Sequence, residues 1–245
     1  MYARANAAML TSAEIEACIK ASILGEVYTT PKPGLVDRRD SGAHRDMNVY
    51  TFERSAAAIT PYLTKMFFEG YFWKNSLQNL FPKIRKTGIF AEKTMFRATD
   101  QVNTHKGLIF TMGILSACAG QCYAKIRRFD TSKIFAYAEE MTKDALEADF
   151  LEMSQRDPVT HGEILFQKYG ERGIRGEAQK GFPIIRNIAL PLMRQYRGIG
   201  LDENGSNINV LLRIMMELND TNVWSRGSRD DVKWIQEQAE KIWKP

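Results

Sequence analysis

Along nearly the whole chain the apolar residues recur three and four positions apart, and no run of β-branched residues alternates with polar ones. That spacing lines one face of a 3.6-residue helix and offers a strand nothing to bury, so it predicts an all-α fold. Thr11 followed by Glu14 is a capping box, and it opens a helix to about residue 28 with Ile15, Cys18, Ile19, Ile23 and Val27 as its apolar stripe. Helical patterns return over 50–70, 75–87, 104–128, 131–154, 161–169, 183–197, 208–218 and 228–243. Between the first two lies a loop, 30–48, marked by Pro31, Pro33, Gly34 and Gly42. With 245 residues, 44% of them hydrophobic and 26% charged, the chain can bury a real core without disulfides or a structural metal. No repeat, low-complexity tract or linker divides it, so one multi-helix globular domain over residues 1–245 is expected.

The three cysteines cannot all pair, and Cys118 and Cys122 sit four apart in an apolar helical run, as core thiols do in a reducing cytoplasm. Residues 1–10 hold too few large apolar side chains for a secretion signal, and the apolar stretch 107–120 is too short to cross a bilayer. A soluble, cytoplasmic protein is expected. The net charge of +5 is compatible with an anionic small molecule, a nucleic acid or an ordinary surface.

All three histidines stand beside glycine and charge: Gly42-Ala-His44-Arg-Asp46, Asn103-Thr-His105-Lys106-Gly, and Thr160-His161-Gly-Glu163. Histidine is the side chain most easily poised for proton transfer near neutrality. The 30–48 loop interleaves Lys32, Arg38, Arg39 and Arg45 with Asp37, Asp40 and His44. Arginine forks match phosphate oxygens and a carboxylate among them could hold Mg²⁺; a solvated loop with compensating charges reads equally well. Glu26 lies about 20° around the helix from Ile15, within the apolar arc, where a carboxylate must pair, bind metal or raise its pKa, unless it snorkels out at the last turn. Gly170, Gly173, Gly176 and Gly181 punctuate a run that either turns flexibly or offers backbone amides with Arg172, Arg175 and Lys180 to phosphate. The cluster 219–222 reads first as a helix breaker.

Taken in order, these segments resemble the triphosphoribosyl-dephospho-coenzyme A synthase family, which prepares the prosthetic group of citrate lyase and malonate decarboxylase. The resemblance runs through Glu26, Pro31-Lys-Pro-Gly-Leu-Val-Asp-Arg38, Gly42-Ala-His-Arg-Asp-Met47 and Asn103-Thr-His-Lys-Gly107. It continues through Thr160-His-Gly-Glu163, Gly173-Ile-Arg-Gly-Glu-Ala178 with Gly181-Phe-Pro183, and Asp220-Thr-Asn-Val223. It implies an all-helical fold and a reaction in which ATP donates its 5-triphosphoribosyl group to the ribose 2′-hydroxyl of 3′-dephospho-CoA, with adenine released. Mg²⁺ is expected to accompany ATP.

On that resemblance, Lys32, Arg38, Asn103, His105, Lys106 and Arg175 are expected to bind substrate or phosphate, with Glu177 in support. Glu26, Asp37 and Asp46 are expected to hold metal or to stabilise an oxocarbenium-like ribose. His44 or Glu163 is expected to act as general base, with Glu26 and Asp46 catalytic beside them. Three departures stand out, one being Trp224-Ser-Arg-Gly-Ser228 where the family often has His-Arg-Gly-Gly after Thr-Asn-Val-Leu. The family's Ser-Pro-Gly-Gly segment and final helix do not follow before Pro245, which leaves an impaired nucleotide-binding protein as one alternative. Gln101 stands where glycine commonly precedes Val-Asn-Thr-His-Lys-Gly. A nucleotide N-glycosidase or another ribosyl transferase is the other alternative. No dense basic helix or aromatic platform points to nucleic acid, and a homodimer is compatible with the pattern.

Overall fold

The Thr11 and Glu14 side chains form the reciprocal cap their spacing predicts. The Thr11 N–H and hydroxyl donate to Glu14 Oε2 at 2.8 Å, and the Glu14 N–H donates to Thr11 Oγ1 at 3.2 Å. From this cap α1 (Ser12–Tyr28) buries Ile15, Ile19, Ile23 and Val27. Cys18, read as part of that stripe, is exposed instead. The computed structural model describes residues 10–243, and every regular element among them is helical. The fold is all-α.

After the loop, Asn48 and Thr51 form a second capping box and start α2 (Val49–Tyr71). A 3₁₀ turn (Leu77–Asn79) leads into α3 (Leu80–Ala98), which continues through Gly88 to Ala98 instead of stopping near residue 87. α4 (Lys106–Ile126) and α5 (Thr131–Ser154) follow. The remainder is α6 (His161–Tyr169), α7 (Gly173–Gln179), a π-helical segment (Ile185–Ala189), α8 (Leu190–Gly198), α9 (Glu203–Glu217), α10 (Thr221–Arg226) and α11 (Arg229–Ile242). The helix expected over 183–197 forms without a break, with this π-helical segment inside it. Pro191, near the start of α8, has no N–H and crowds the carbonyl four residues back, which a π-turn accommodates.

These elements group into two compact units. The first takes residues up to Tyr28 and Gly34–Ile134; the second takes Thr29–Pro33 and everything from Phe135. In the first, α2 packs on α1, α3 and α4. Its contact with α4 is backbone on backbone: a Cβ on Gly70 would lie 1.9 Å from the Ala117 carbonyl oxygen, and one on Gly120 would lie 1.9 Å from that of Phe67. Only a residue without a side chain fits either place. Cys118 and Cys122 are fully buried in α4, as expected of core thiols. At 21 residues α4 outruns the apolar stretch read from sequence and is long and apolar enough to cross a membrane by length and composition. It lies against α2 and α3, as the core helix of this unit. In the second unit, α9 packs on α11 and α8, and α6 on α10.

Gly120→Ala is expected to destabilise the protein by about 2 kcal/mol or more, because α2 and α4 must part to admit the methyl group. Gly107→Ala, in the first turn of the same helix with nothing within 4 Å of the new Cβ, is expected to be neutral or stabilising by up to about 1 kcal/mol. Urea unfolding of both variants checks the pair.

Candidate functional site

In the first unit the loop after Gly34 is folded by its own polar groups. The Ala43 N–H donates to the Gly34 carbonyl at 3.1 Å, and a Cβ on Gly42, whose φ is +56°, would meet the Gly34 carbonyl carbon at 2.5 Å. Asp37 Oδ1 accepts from the N–H groups of Arg39 and Asp40 at 2.6 and 3.1 Å, and Asp40 Oδ1 accepts from Gly42 N–H at 2.7 Å. Val36 and Met47 are buried at either end, and Asp37 is buried with them. Asp37 and Asp40 therefore brace the loop's backbone, while Arg38, Arg39 and Arg45 are exposed. The Arg38 guanidinium lies over the Tyr28 ring, 4.2 Å from its centroid, a cation–π seat that aims an exposed arginine. The Tyr28 hydroxyl donates to Glu53, and this bond raises its pKa. His44 is mostly covered, its Nδ1 3.7 Å from the exposed Asp46 carboxylate.

Glu26 is exposed, not buried in the apolar arc. The stripe of α1 advances by four residues at a time and so rotates about 40° per step; measured from its neighbour Val27, Glu26 points about 100° away from the core. Over the three turns from Ile15 to Val27 this drift carries the core face away from the direction that Glu26 shares with Ile15.

The start of α4 gathers the next motif. Asn103 Oδ1 accepts from the Lys106 N–H at 3.3 Å, bridging the first turn. Lys106 Nζ sits 2.8 Å from Glu92 Oε1. His105 is buried at 3% exposure, its ring edge-on to Phe52 and its Nδ1 2.6 Å from Ser55 Oγ, which also accepts from the Thr104 hydroxyl at 2.7 Å. The expected phosphate ligand is thus oriented by α2 inside the first unit. Ser55 was missed because a lone serine in a helix carries no signal of what it will face. Gln101 adopts φ +69°, the left-handed conformation that glycine takes without strain.

In the second unit, Glu163 is a structural anchor. Its Oε2 accepts from the N–H groups of Val159 and Thr160 at 2.7 and 3.3 Å, and Arg156 grips both its oxygens at 3.1 and 3.0 Å. The Arg156 hydrogen bonds come first among the causes that lower its pKa to about 2. A carboxylate held there is a poor proton acceptor, which corrects the expectation that Glu163 serves as general base. Arg172, grouped by sequence with the phosphate cations, is spent on Glu147 at 2.6 and 3.1 Å and on Gln179 at 2.7 Å, over the Phe150 ring. Glu177 Oε2 accepts from the Ile184 N–H at 3.1 Å and closes the turn at Gly181, where a Cβ would lie 2.7 Å from the Phe135 carbonyl oxygen. Arg175 is half-buried, its Nη1 3.0 Å from Met153 Sδ. The cluster 219–222 breaks the helix as expected: α9 ends at Glu217, the chain leaves helical form over 218–220, and Asp220 Oδ1 caps the start of α10 by accepting from the Val223 N–H.

Lys32 is buried, 6% exposed, in the short segment Thr29–Pro33. Asn204 and Asn207 of α9 bind that segment at Thr30 and Thr29. The sequence pattern gave neither asparagine away, since both bonds join residues more than 170 positions apart. Among the described residues no group of three or more His, Cys, Asp and Glu side chains is placed to hold a metal ion, so Glu26, Asp37 and Asp46 do not form a ready-made metal centre.

The family model described as ATP:dephospho-CoA triphosphoribosyl transferase matches residues 12–245. A Streptococcus mutans protein named "Probable 2-(5''-triphosphoribosyl)-3'-dephosphocoenzyme-A synthase" is 38% identical over 232 residues, which cover 90% of this chain and 78% of the relative. A Salmonella gallinarum protein of the same name is 36% identical over 237 residues, 95% of this chain and 77% of its own. The 2-(5''-triphosphoribosyl)-3'-dephosphocoenzyme-A synthase of Escherichia fergusonii is 34% identical over 235 residues, 96% and 78% of the two chains. No solved structure matches the chain.

The Glu163 anchor has a pH signature. Its folded pKa lies below the ordinary carboxylate value, so the stability it contributes is complete above about pH 5 and is lost as pH falls toward about 2. Glu163→Gln is expected to melt below the wild type at neutral pH, with the gap closing between about pH 5 and about pH 2. Thermal melts across that range check it; a constant gap contradicts the anchor.

Proposed function

Because the chain belongs to the ATP:dephospho-CoA triphosphoribosyl transferase family, we propose that it transfers the 5-triphosphoribosyl group of ATP to the ribose 2′-hydroxyl of 3′-dephospho-CoA and releases adenine. The product is 2′-(5″-triphosphoribosyl)-3′-dephospho-CoA, the prosthetic-group precursor for citrate lyase or malonate decarboxylase acyl carrier protein. The observation that carries this reading is the family match over residues 12–245. Both substrates and the buried thiols Cys118 and Cys122 suit a cytoplasmic setting.

Cleaving the N-glycosidic bond of ATP develops positive charge on the ribose, which fixed carboxylates stabilise most cheaply when their own backbone bonds already hold them. Asp37, braced by two amides, has that preorganisation, and Asp46 and Glu26 are the exposed acids assigned beside it. ATP is taken as its Mg²⁺ complex, in which the ion rides on phosphate oxygens and would need only one or two protein carboxylates, the part assigned to Asp37, Asp46 or Glu26. Within the first unit Arg38, steadied over Tyr28, is assigned to phosphate oxygens with His105 and Lys106; within the second, Lys32 and Arg175 are assigned to phosphate. Asn103 bridges the turn that carries His105 and Lys106, and Glu177 supports the second unit by closing the turn at Gly181. His44 accepts the proton of the attacking 2′-hydroxyl, with Asp46 close enough to stabilise the imidazolium that forms.

Incubation with ATP, Mg²⁺ and 3′-dephospho-CoA is expected to yield adenine and triphosphoribosyl-dephospho-CoA in equal amounts, read by chromatography and mass spectrometry. Adenine formed equally well without dephospho-CoA would identify water as the acceptor and overturn the transfer. His44→Ala is expected to slow adenine formation by about a hundredfold or more with folding intact. Near-normal turnover removes His44 from the mechanism.

A further inference from the structure

We infer that Asn204 is a positioning residue that sets the course of the Thr29–Pro33 segment and thereby the placement of Lys32. The observation is a reciprocal pair of hydrogen bonds. The Thr30 N–H donates to Asn204 Oδ1 at 2.8 Å, and Asn204 Nδ2 donates back to the Thr30 carbonyl at 2.7 Å. A primary amide carries one acceptor and two donors on one plane, so it pairs with a residue's N–H and C=O as a neighbouring strand would. Those two groups belong to successive peptide units, so both planes are fixed at once. Three residues along α9, Asn207 Nδ2 donates to Thr29 Oγ1 at 2.9 Å, which secures the preceding residue from the same helix face.

The pairing has a purpose that helix formation does not supply. Asparagine is a poor helix former, and Asp202 already caps α9 by accepting from the Gly205 N–H at 2.9 Å. Asn204 and Asn207 therefore contribute to the segment they bind more than to the helix they occupy. That segment is short, contains Pro31 and Pro33, and belongs to the second unit although the chain on both sides of it belongs to the first. Lys32 lies two residues beyond Thr30 and is buried. A buried ammonium is tolerable only where its surroundings are set in advance, and the chain that delivers it must arrive along one path. Asn204 defines that path. The functional half of the inference rests on the assignment of Lys32 to ATP phosphate.

The test has two arms that fail separately. Asn204→Ala removes both bonds, whereas Asn204→Asp keeps the acceptor for the Thr30 N–H and loses the donor. Asn209→Ala, which removes only a bond to the Gly205 carbonyl within α9, is the control. In the first arm, each protein is briefly acetylated with acetic anhydride below its melting temperature, and mass spectrometry reports Lys32 relative to the exposed Lys20. Asn204→Ala is expected to raise Lys32 labelling by about tenfold, as loss of two hydrogen bonds permits, with Asn204→Asp intermediate and the control unchanged. In the second arm, the KM for ATP is expected to rise by about tenfold with kcat within about twofold, the pattern of lost binding rather than lost chemistry. Unaltered Lys32 labelling in folded Asn204→Ala and Asn204→Asp overturns the positioning role. Raised labelling with an unaltered KM for ATP overturns the link from Lys32 to ATP. Labelling does not depend on turnover, so it stands even where the proposed reaction fails.

Discussion

The contact of α2 with α4 at Gly70 and Gly120 is the constraint on which the first unit turns. Two helix backbones in touch have almost no freedom to slide or rotate, because each carbonyl blocks any side chain larger than hydrogen. Met66 is seated against Gly113 in the same seam. Fixing the two helices fixes what their other residues meet. Ser55 of α2 comes within 2.6 Å of the His105 ring at the start of α4, and Phe52 meets the same ring edge-on. The Asn103–Lys106 turn is thus held by core packing that begins several turns away.

The motif acids share a second theme. Asp37, Glu163 and Glu177 each give at least one carboxylate oxygen to backbone N–H groups, and Asp40 does the same for Gly42. Such bonds stiffen loops that would otherwise sample many shapes, and a stiff loop holds its charges ready before a ligand arrives. Cations divide accordingly. Arg156 and Arg172 are consumed by Glu163 and Glu147, whereas Arg38, Arg39 and Arg45 stand exposed on a braced loop. The modest net charge of +5 conceals this partition between structural and presented cations.

How far the sequence could be read depended on the range of the interaction. The cap at Thr11, the bounds of α5 and α6, and the loop before Asn48 follow from neighbours three or four residues apart, which sequence displays directly. Glu26 was misplaced because a stripe that drifts around its helix was compared across three turns. α7 was missed because its glycines leave no apolar period, and the π-turn because Pro191 acts through the backbone. Asn204, Asn207 and Ser55 were silent because their partners lie far along the chain. The motif histidines were visible, yet not that His105 would be buried and His44 mostly covered.

The central claim is that the glycosidic bond of ATP breaks while its triphosphate stays on the transferred ribose. ATP labelled in both the ribose and the γ-phosphate tests this most directly, with 3′-dephospho-CoA as acceptor and the product isolated. The account predicts both labels together in the dephospho-CoA-derived product and adenine as the other product. Label appearing in inorganic phosphate or ADP, with the adenine still joined to its ribose, would contradict it.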